Sequence, residues 1–144
     1  MSFSNPPEEK IRDLLRSART IAVCGLSSRL IRPSYEVSVA MRRFGYRIIP
    51  VNPRLDRWLD VPAVASLDEA VVAAGNKQGI DIVNVFRRSA HVDSLVDDCI
   101  RLGLPAIWLQ LGVIDEMAAL RAQRTGITVV MDRCIRVDRA AMEA

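Results

Sequence analysis

Aromatic residues make up only 5% of this chain, histidine occurs once, and lysine is almost missing. Each shortage removes a class of function. Nucleic-acid binders often interleave basic runs with aromatics; three Phe, two Tyr and two Trp in 144 residues leave no such run, so no nucleic-acid partner is expected. The single histidine is His91, and the three cysteines, Cys24, Cys99 and Cys134, stand far apart without a CxxC. No metal-ligand set can be assembled from them. An odd, scattered cysteine count fits reduced thiols in the cytoplasm better than a disulfide framework. No stretch approaches the ~18 apolar residues of a membrane span. The charged opening MSFSNPPEEKIRD also lacks the apolar run of a secretion signal. No membrane partner is expected, and the reading is cytoplasmic.

What is present is more informative. The length suits one domain with one core, spanning 1–144 with residues 1–5 as a candidate disordered lead-in, and half of the residues are hydrophobic. The net charge is a modest +3, but of the 20 cations only Lys10 and Lys77 are lysine. The remainder are arginine, whose planar fork can grip phosphate oxygens bidentately. An arginine-favouring genome would spread the same bias over the whole chain, so position has to decide which arginines matter.

Apolar periodicity divides the chain into alternating elements. Pro6-Pro7-Glu8-Glu9 followed by KIRDLLRSAR predicts a helix with acids in its first turn. TIAVCG (20–25) reads as a buried strand, and Pro33 to Phe44 as a helix closed by Gly45. YRIIPVNP (46–53) is a second strand, and Ser66 is the N-cap of a third helix. A strand at 79–86, a helix at 91–103, a strand and its loop at 105–112, a helix at 114–126, a strand at 127–132 and a helix from about Cys134 complete the pattern. Strands that read as continuous apolar runs, each followed by a helix, predict an α/β fold: a single Rossmann-like domain with a parallel five-stranded sheet and helices on both faces.

Ligands of such sheets bind beyond the carboxyl ends of the strands. Five segments leave those ends: GLSSRLIRPS, NPRLDR, FRRS, LQLG and DRC. The first resembles neither a dinucleotide fingerprint nor a P-loop, since it holds one glycine and no lysine. Gly25 permits close backbone approach, Ser27 and Ser28 offer hydroxyls, Pro33 suits the first turn of a helix, and Arg29 and Arg32 add charge. The alternative is an ordinary strand-to-helix turn with solvated arginines. The second strand ends in Asn52-Pro53-Arg54 where NAD binding calls for a carboxylate on the ribose, which excludes NAD and leaves NADP arguable. Phe86 and Arg87 could flank a base or bind phosphate, or serve as core and surface respectively. Gln110 and Gly112 could line a narrow channel. Cys134 follows Asp132-Arg133, but no histidine or second cysteine stands near it in sequence to form a nucleophilic pair. A space-filling role is the simpler reading. Paired acids such as Asp97-Asp98 fall on helices as solvated faces, and no catalytic constellation emerges.

Taken in order, Gly25-Leu26-Ser27-Ser28, Arg32-Pro33-Ser34, Val51-Asn52-Pro53, Val85-Phe86-Arg87-Arg88, Trp108-Leu109-Gln110-Leu111-Gly112 and Asp132-Arg133-Cys134 resemble the stand-alone CoA-binding domain proteins. These are small relatives of the CoA-binding domain of succinyl-CoA synthetase. The resemblance implies a Rossmann-like fold and a site for coenzyme A or an acyl-CoA across the strand ends. By it, Gly25, Leu26, Ser27, Ser28, Arg32, Pro33 and Ser34 would hold phosphates. Asn52 and Pro53 would lie near the adenosine, Phe86 and Arg87 would flank the nucleotide, and Gln110 and Gly112 would border the pantetheine path. The resemblance implies a small-molecule nucleotide ligand and no catalysis by this chain alone. A small NADP-linked or acyl-transfer enzyme, a redox module using Cys134 and a pure interaction protein are the competing readings. Arg54–Ala63 departs from the family, which usually has a short glycine-containing turn there.

Overall fold

Residues 2–143 are described by a computed structural model. Five parallel strands, β1 (Thr20–Cys24), β2 (Arg47–Val51), β5 (Ile82–Val85), β6 (Ala106–Leu109) and β7 (Thr128–Met131), form one sheet in the order β2-β1-β5-β6-β7. Every residue of β1, β5 and β6 is buried, which is why these segments read as unbroken apolar runs. The chain steps from β1 outward to β2, then crosses back to β5 and proceeds the other way. Crossovers of one hand must therefore put their helices on opposite faces before and after the reversal, and the two cores follow that rule. Helices α1 (Glu8–Ser17), α2 (Pro33–Arg43) and α6 (Ile135–Ala141) pack Ile11, Leu15, Val37, Met41 and Ile135 on one face. Helices α3 (Leu67–Ala73), α4 (Val92–Leu102) and α5 (Glu116–Arg124) pack Leu67, Ala70, Val96, Cys99 and Ala119 on the other. The Rossmann-like class predicted from the sequence is what the chain adopts.

Local signals set the helix ends. Ser66 accepts the Glu69 N–H at 3.3 Å while the Glu69 carboxylate accepts the Ala65 N–H at 2.6 Å, a near-reciprocal cap. Asp115 caps α5 through the Ala118 N–H at 3.0 Å. The predicted strand at 79–86 and helix at 91–103 are each preceded or opened by a 3₁₀ turn, at Lys77–Gly79 and Ser89–His91.

Two features lie beyond that reading. Residues 54–63, expected only as a departure from the family, contain an antiparallel hairpin of β3 (Arg57–Trp58) and β4 (Val61–Pro62). Trp58 drops into the α1–α2 core at 1% exposure, meets Tyr35 edge-on at 6.1 Å and carries the Arg42 guanidinium at 5.8 Å over its ring. Arg42 grips Asp60 with both nitrogens, at 2.7 and 3.2 Å. The start of the chain, the candidate disordered lead-in, is placed from Ser2 onward, with Phe3 buried in the α3–α5 core. Asn5 imitates a strand: its Nδ2 donates to the Met131 carbonyl at 3.0 Å and its Oδ1 accepts the Met131 N–H at 2.7 Å. This covers the β7 edge, where unpaired backbone would invite another chain. Among the described residues no helix is long and apolar enough to cross a membrane.

Candidate functional site

The strand order reverses between β1 and β5, so the loops leaving those two strands diverge and open a crevice at their carboxyl ends. Gly25 makes the crevice narrow. It sits at φ +84°, and a Cβ there would collide with the Phe86 carbonyl oxygen and lie 2.7 Å from Cδ of Arg87. Its N–H donates to the Val51 carbonyl at 2.9 Å, and Phe86 N–H donates to Cys24 at 2.9 Å, which pins both loop roots.

The first loop is tied back on itself. Ser34, 4% exposed in the first turn of α2, accepts the Ser27 N–H at 2.9 Å, and the Ser27 hydroxyl accepts the Arg29 N–H at 3.1 Å. Arg32 is the N-cap residue and Pro33 the first helical position, so the chain enters α2 with no N–H wasted at that position. The result is a cleft of about 550 Å³. Of the residues singled out from the sequence, Gly25, Ser27, Arg32, Pro33, Ser34, Phe86, Arg87 and Gln110 line it together.

The others lie elsewhere. Leu26 points into the α1–α2 core at 0% exposure, and Ser28 is exposed outside the cleft lining. Asn52 and Pro53 border a separate open cavity beside the β3–β4 hairpin and α3. The Asn52 carboxamide braces the backbone: Nδ2 donates to the Leu26 carbonyl at 3.0 Å and Oδ1 accepts the Arg54 N–H at 2.9 Å. Gly112, at φ +79°, is fastened to Asp132 by its N–H at 2.8 Å and does not line the cleft. Arg88, Val37, Leu111, Val113 and Cys134 also line it. Val37 follows Pro33 by one helical turn and so shares its face, a signal the periodicity contained; nothing local marks Val113.

The charged groups of the cleft are all of one sign. Its lining includes the guanidinium groups of Arg32, Arg87 and Arg88 and not one carboxylate. Elsewhere among the described residues seven arginines are held by carboxylates, including Arg101, which pairs with Asp68 at 2.8 Å and Asp98 at 3.1 Å, and Arg133, which pairs with Glu8 at 2.7 Å and Asp138 at 2.6 Å. The hydrogen bonds of Arg133 hold the Glu8 carboxyl below its usual range, and Arg101 does the same to Asp68. Among the described residues, Arg29, Arg32, Arg87 and Arg88 enter no ion pair.

At the α6 end, Cys134 is the N-cap residue yet makes no side-chain cap bond. Gln110, 4% exposed, does so instead, its Oε1 accepting the Ile135 N–H at 3.0 Å. Among the described residues no cluster of three or more His, Cys, Asp and Glu side chains gathers as for a metal ion.

Residues 19–140 match the family described as CoA binding domain. The chain belongs to that family. The matched span begins one residue before β1 and closes inside α6, so this CoA binding domain comprises the whole sheet and both walls of the cleft. The uncharacterized protein YneT of Bacillus subtilis (strain 168) is 43% identical over 138 residues, covering 96% of this chain and 98% of YneT. Among solved structures, cell-free ID.343 from Thermus thermophilus superposes with a TM-score of 0.85 at 32% identity, over 95% of this chain and 99% of that one. A hypothetical protein from Pyrococcus horikoshii OT3 shares the fold at a TM-score of 0.86, with 24% identity and full coverage of both chains.

Proposed function

We propose that the cleft binds coenzyme A, free or acylated, and performs no catalysis of its own. The observation that carries this reading is the cluster of three unpaired guanidinium groups in a lining without a carboxylate. Coenzyme A presents a diphosphate and a further phosphate on its ribose, a polyanion that this lining suits and that a ribose-binding acid would repel. Ser27, Arg32 and Ser34, with Ser28 at the rim, receive phosphate oxygens together with the backbone that Gly25 and Pro33 shape. Phe86 and Arg87 flank the nucleotide, and Gln110 borders the pantetheine chain. Leu26, Asn52 and Gly112 act one step removed, Leu26 and Asn52 by fixing the first loop and Gly112 by anchoring the loop after β6; Pro53 marks the side on which the adenosine lies. Membership of the CoA binding domain family supports the ligand class. The cleft lining holds neither a histidine nor an acid that could move a proton, in keeping with a binding role.

Titration calorimetry with coenzyme A, NADP and ATP tests this. Coenzyme A is expected to bind tightest and, at a thousandfold excess over its Kd, to stabilise the fold by about 4 kcal/mol. Tight NADP binding with no response to coenzyme A would refute the reading.

A further inference from the structure

The three cysteines occupy two kinds of setting. Cys24 in β1 and Cys99 in α4 are sealed in the core, where burial pushes the Cys24 thiol up to about 12 and raises that of Cys99 as well. Cys134 is only half-buried, and it lines the cleft that contains the free arginines.

In the same lining stands a side chain with one polar group uncommitted. Gln110 is 4% exposed and lines the same cleft, and its Oε1 is already committed to the N–H of Ile135, the residue after Cys134. Among the described residues no acceptor meets its Nε2. That amide group is not among the sealed polar atoms, so it is open to an acceptor entering the cleft. The bond to Ile135 ties the carboxamide to the residue after Cys134, while Arg32 and Arg88 of the same lining are exposed. A ligand with a polyanionic head and a chain bearing amides and a terminal sulfur matches that polarity.

We infer that Cys134 is a site of thiol–disulfide exchange that takes up a coenzyme A moiety as a mixed disulfide, with Gln110 as a positioning residue. This rests on the coenzyme A reading of the cleft. In the step, the Cys134 thiolate attacks one sulfur of coenzyme A disulfide. A new S–S bond forms between Sγ and that sulfur, the S–S bond of the reagent breaks, and the second coenzyme A leaves with the electron pair and is protonated by water. The disulfide is the oxidant, so the electrons balance without another reagent. The Gln110 Nε2 donates to an amide carbonyl of the pantetheine chain. Acyl transfer from a thioester fits less well, because it passes through an oxyanion that needs converging donors, and Gln110 supplies the one side-chain amide of the lining.

The test is mass spectrometry of the full chain treated with coenzyme A disulfide and, in parallel, with glutathione disulfide. One adduct on the Cys134 peptide is expected, formed at least ~10-fold faster from coenzyme A disulfide, the advantage that one charge-assisted contact supplies. Cys24 and Cys99 stay unlabelled. Adenosine 3′,5′-bisphosphate slows the coenzyme A reaction and leaves the glutathione reaction alone, and Arg87→Ala erases the preference between the two reagents. Cys134→Ser removes the adduct while the melting temperature persists. Equal rates with both disulfides, labelling of Cys24 or Cys99 instead, or acetylation of Cys134 by acetyl-CoA in its place would overturn the inference. Coenzyme A binding without any adduct sinks the exchange site and leaves the binding reading intact; failure of the wild-type chain to bind coenzyme A removes both.

Discussion

Arginine serves two opposite purposes in this molecule. Some arginines tie helices to their neighbours through carboxylates: Arg101 joins α4 to Asp68 of α3, Arg121 joins α5 to Asp93 and Asp97 of α4, and Arg42 joins α2 to Asp60 of the hairpin. Along the carboxyl ends of β1 and β5, Arg29, Arg32, Arg87 and Arg88 face no acid among the described residues. A guanidinium already held by a carboxylate has little attraction left for an incoming anion, whereas an unpaired one keeps all of it. The contrast teaches that a modest net charge of +3 conceals a concentrated field. No acid lines the cleft where three of the arginines gather.

The severest way to break that contrast is to deform the rim itself. Gly25→Ala should lower stability by about 2–4 kcal/mol, since the added methyl meets the Phe86 carbonyl at a left-handed backbone position. It should also abolish coenzyme A binding, and urea unfolding with calorimetry reads both. Normal binding by the alanine variant would mean that the close approach of the two loops is dispensable. Next, Arg87→Ala should weaken coenzyme A by about 1.5–3 kcal/mol with an unchanged urea midpoint. Loss of stability instead would place Arg87 among the structural arginines. Arg133→Ala is the mirror image: half-buried between Glu8 and Asp138, it should cost about 1 kcal/mol of stability and leave affinity as it was.

The smallest effect is in acid. Hydrogen bonds from Arg101 and Arg42 hold the carboxyls of Asp68 and Asp60 below 3.8. A carboxyl whose pKa is depressed by folding stabilises the fold above its unfolded value and loses that contribution as pH falls through the folded one. These pairs should therefore weaken progressively as pH falls through the carboxylate range, and Arg101→Ala should flatten the acid limb of the stability profile. The cleft, with no acid in its lining, has no part in that limb. A variant profile identical to the wild type would show the pair to be idle.

The alternation of strands and helices was legible because each strand is buried on both faces and each helix on one, so hydropathy alone marks them. The hairpin was not. Its strands are two residues long, and Trp58 is held by an aromatic edge contact and a cation from α2, partners far away in sequence. The cleft was partly legible, because strand ends announce themselves and arginine beside serine reads as an anion receptor. Side-chain direction was hidden. Leu26 turns into the core between two loop residues that do not, and Asn52 uses its carboxamide on backbone that only the folded chain brings near. Cys134 looked like filler because no partner stands beside it in sequence; Gln110, 24 positions earlier, reaches its neighbour only across the β6–β7 crossover.

Asn5 imposes an order on biosynthesis. The two hydrogen bonds that close the β7 edge join residues 126 positions apart, so the earlier must wait for the later to leave the ribosome. Until Met131 emerges, the Asn5 side chain has no strand edge to clasp. Trimming or tagging the leading residues should therefore show itself less in how readily the sheet assembles than in whether finished molecules stick to one another.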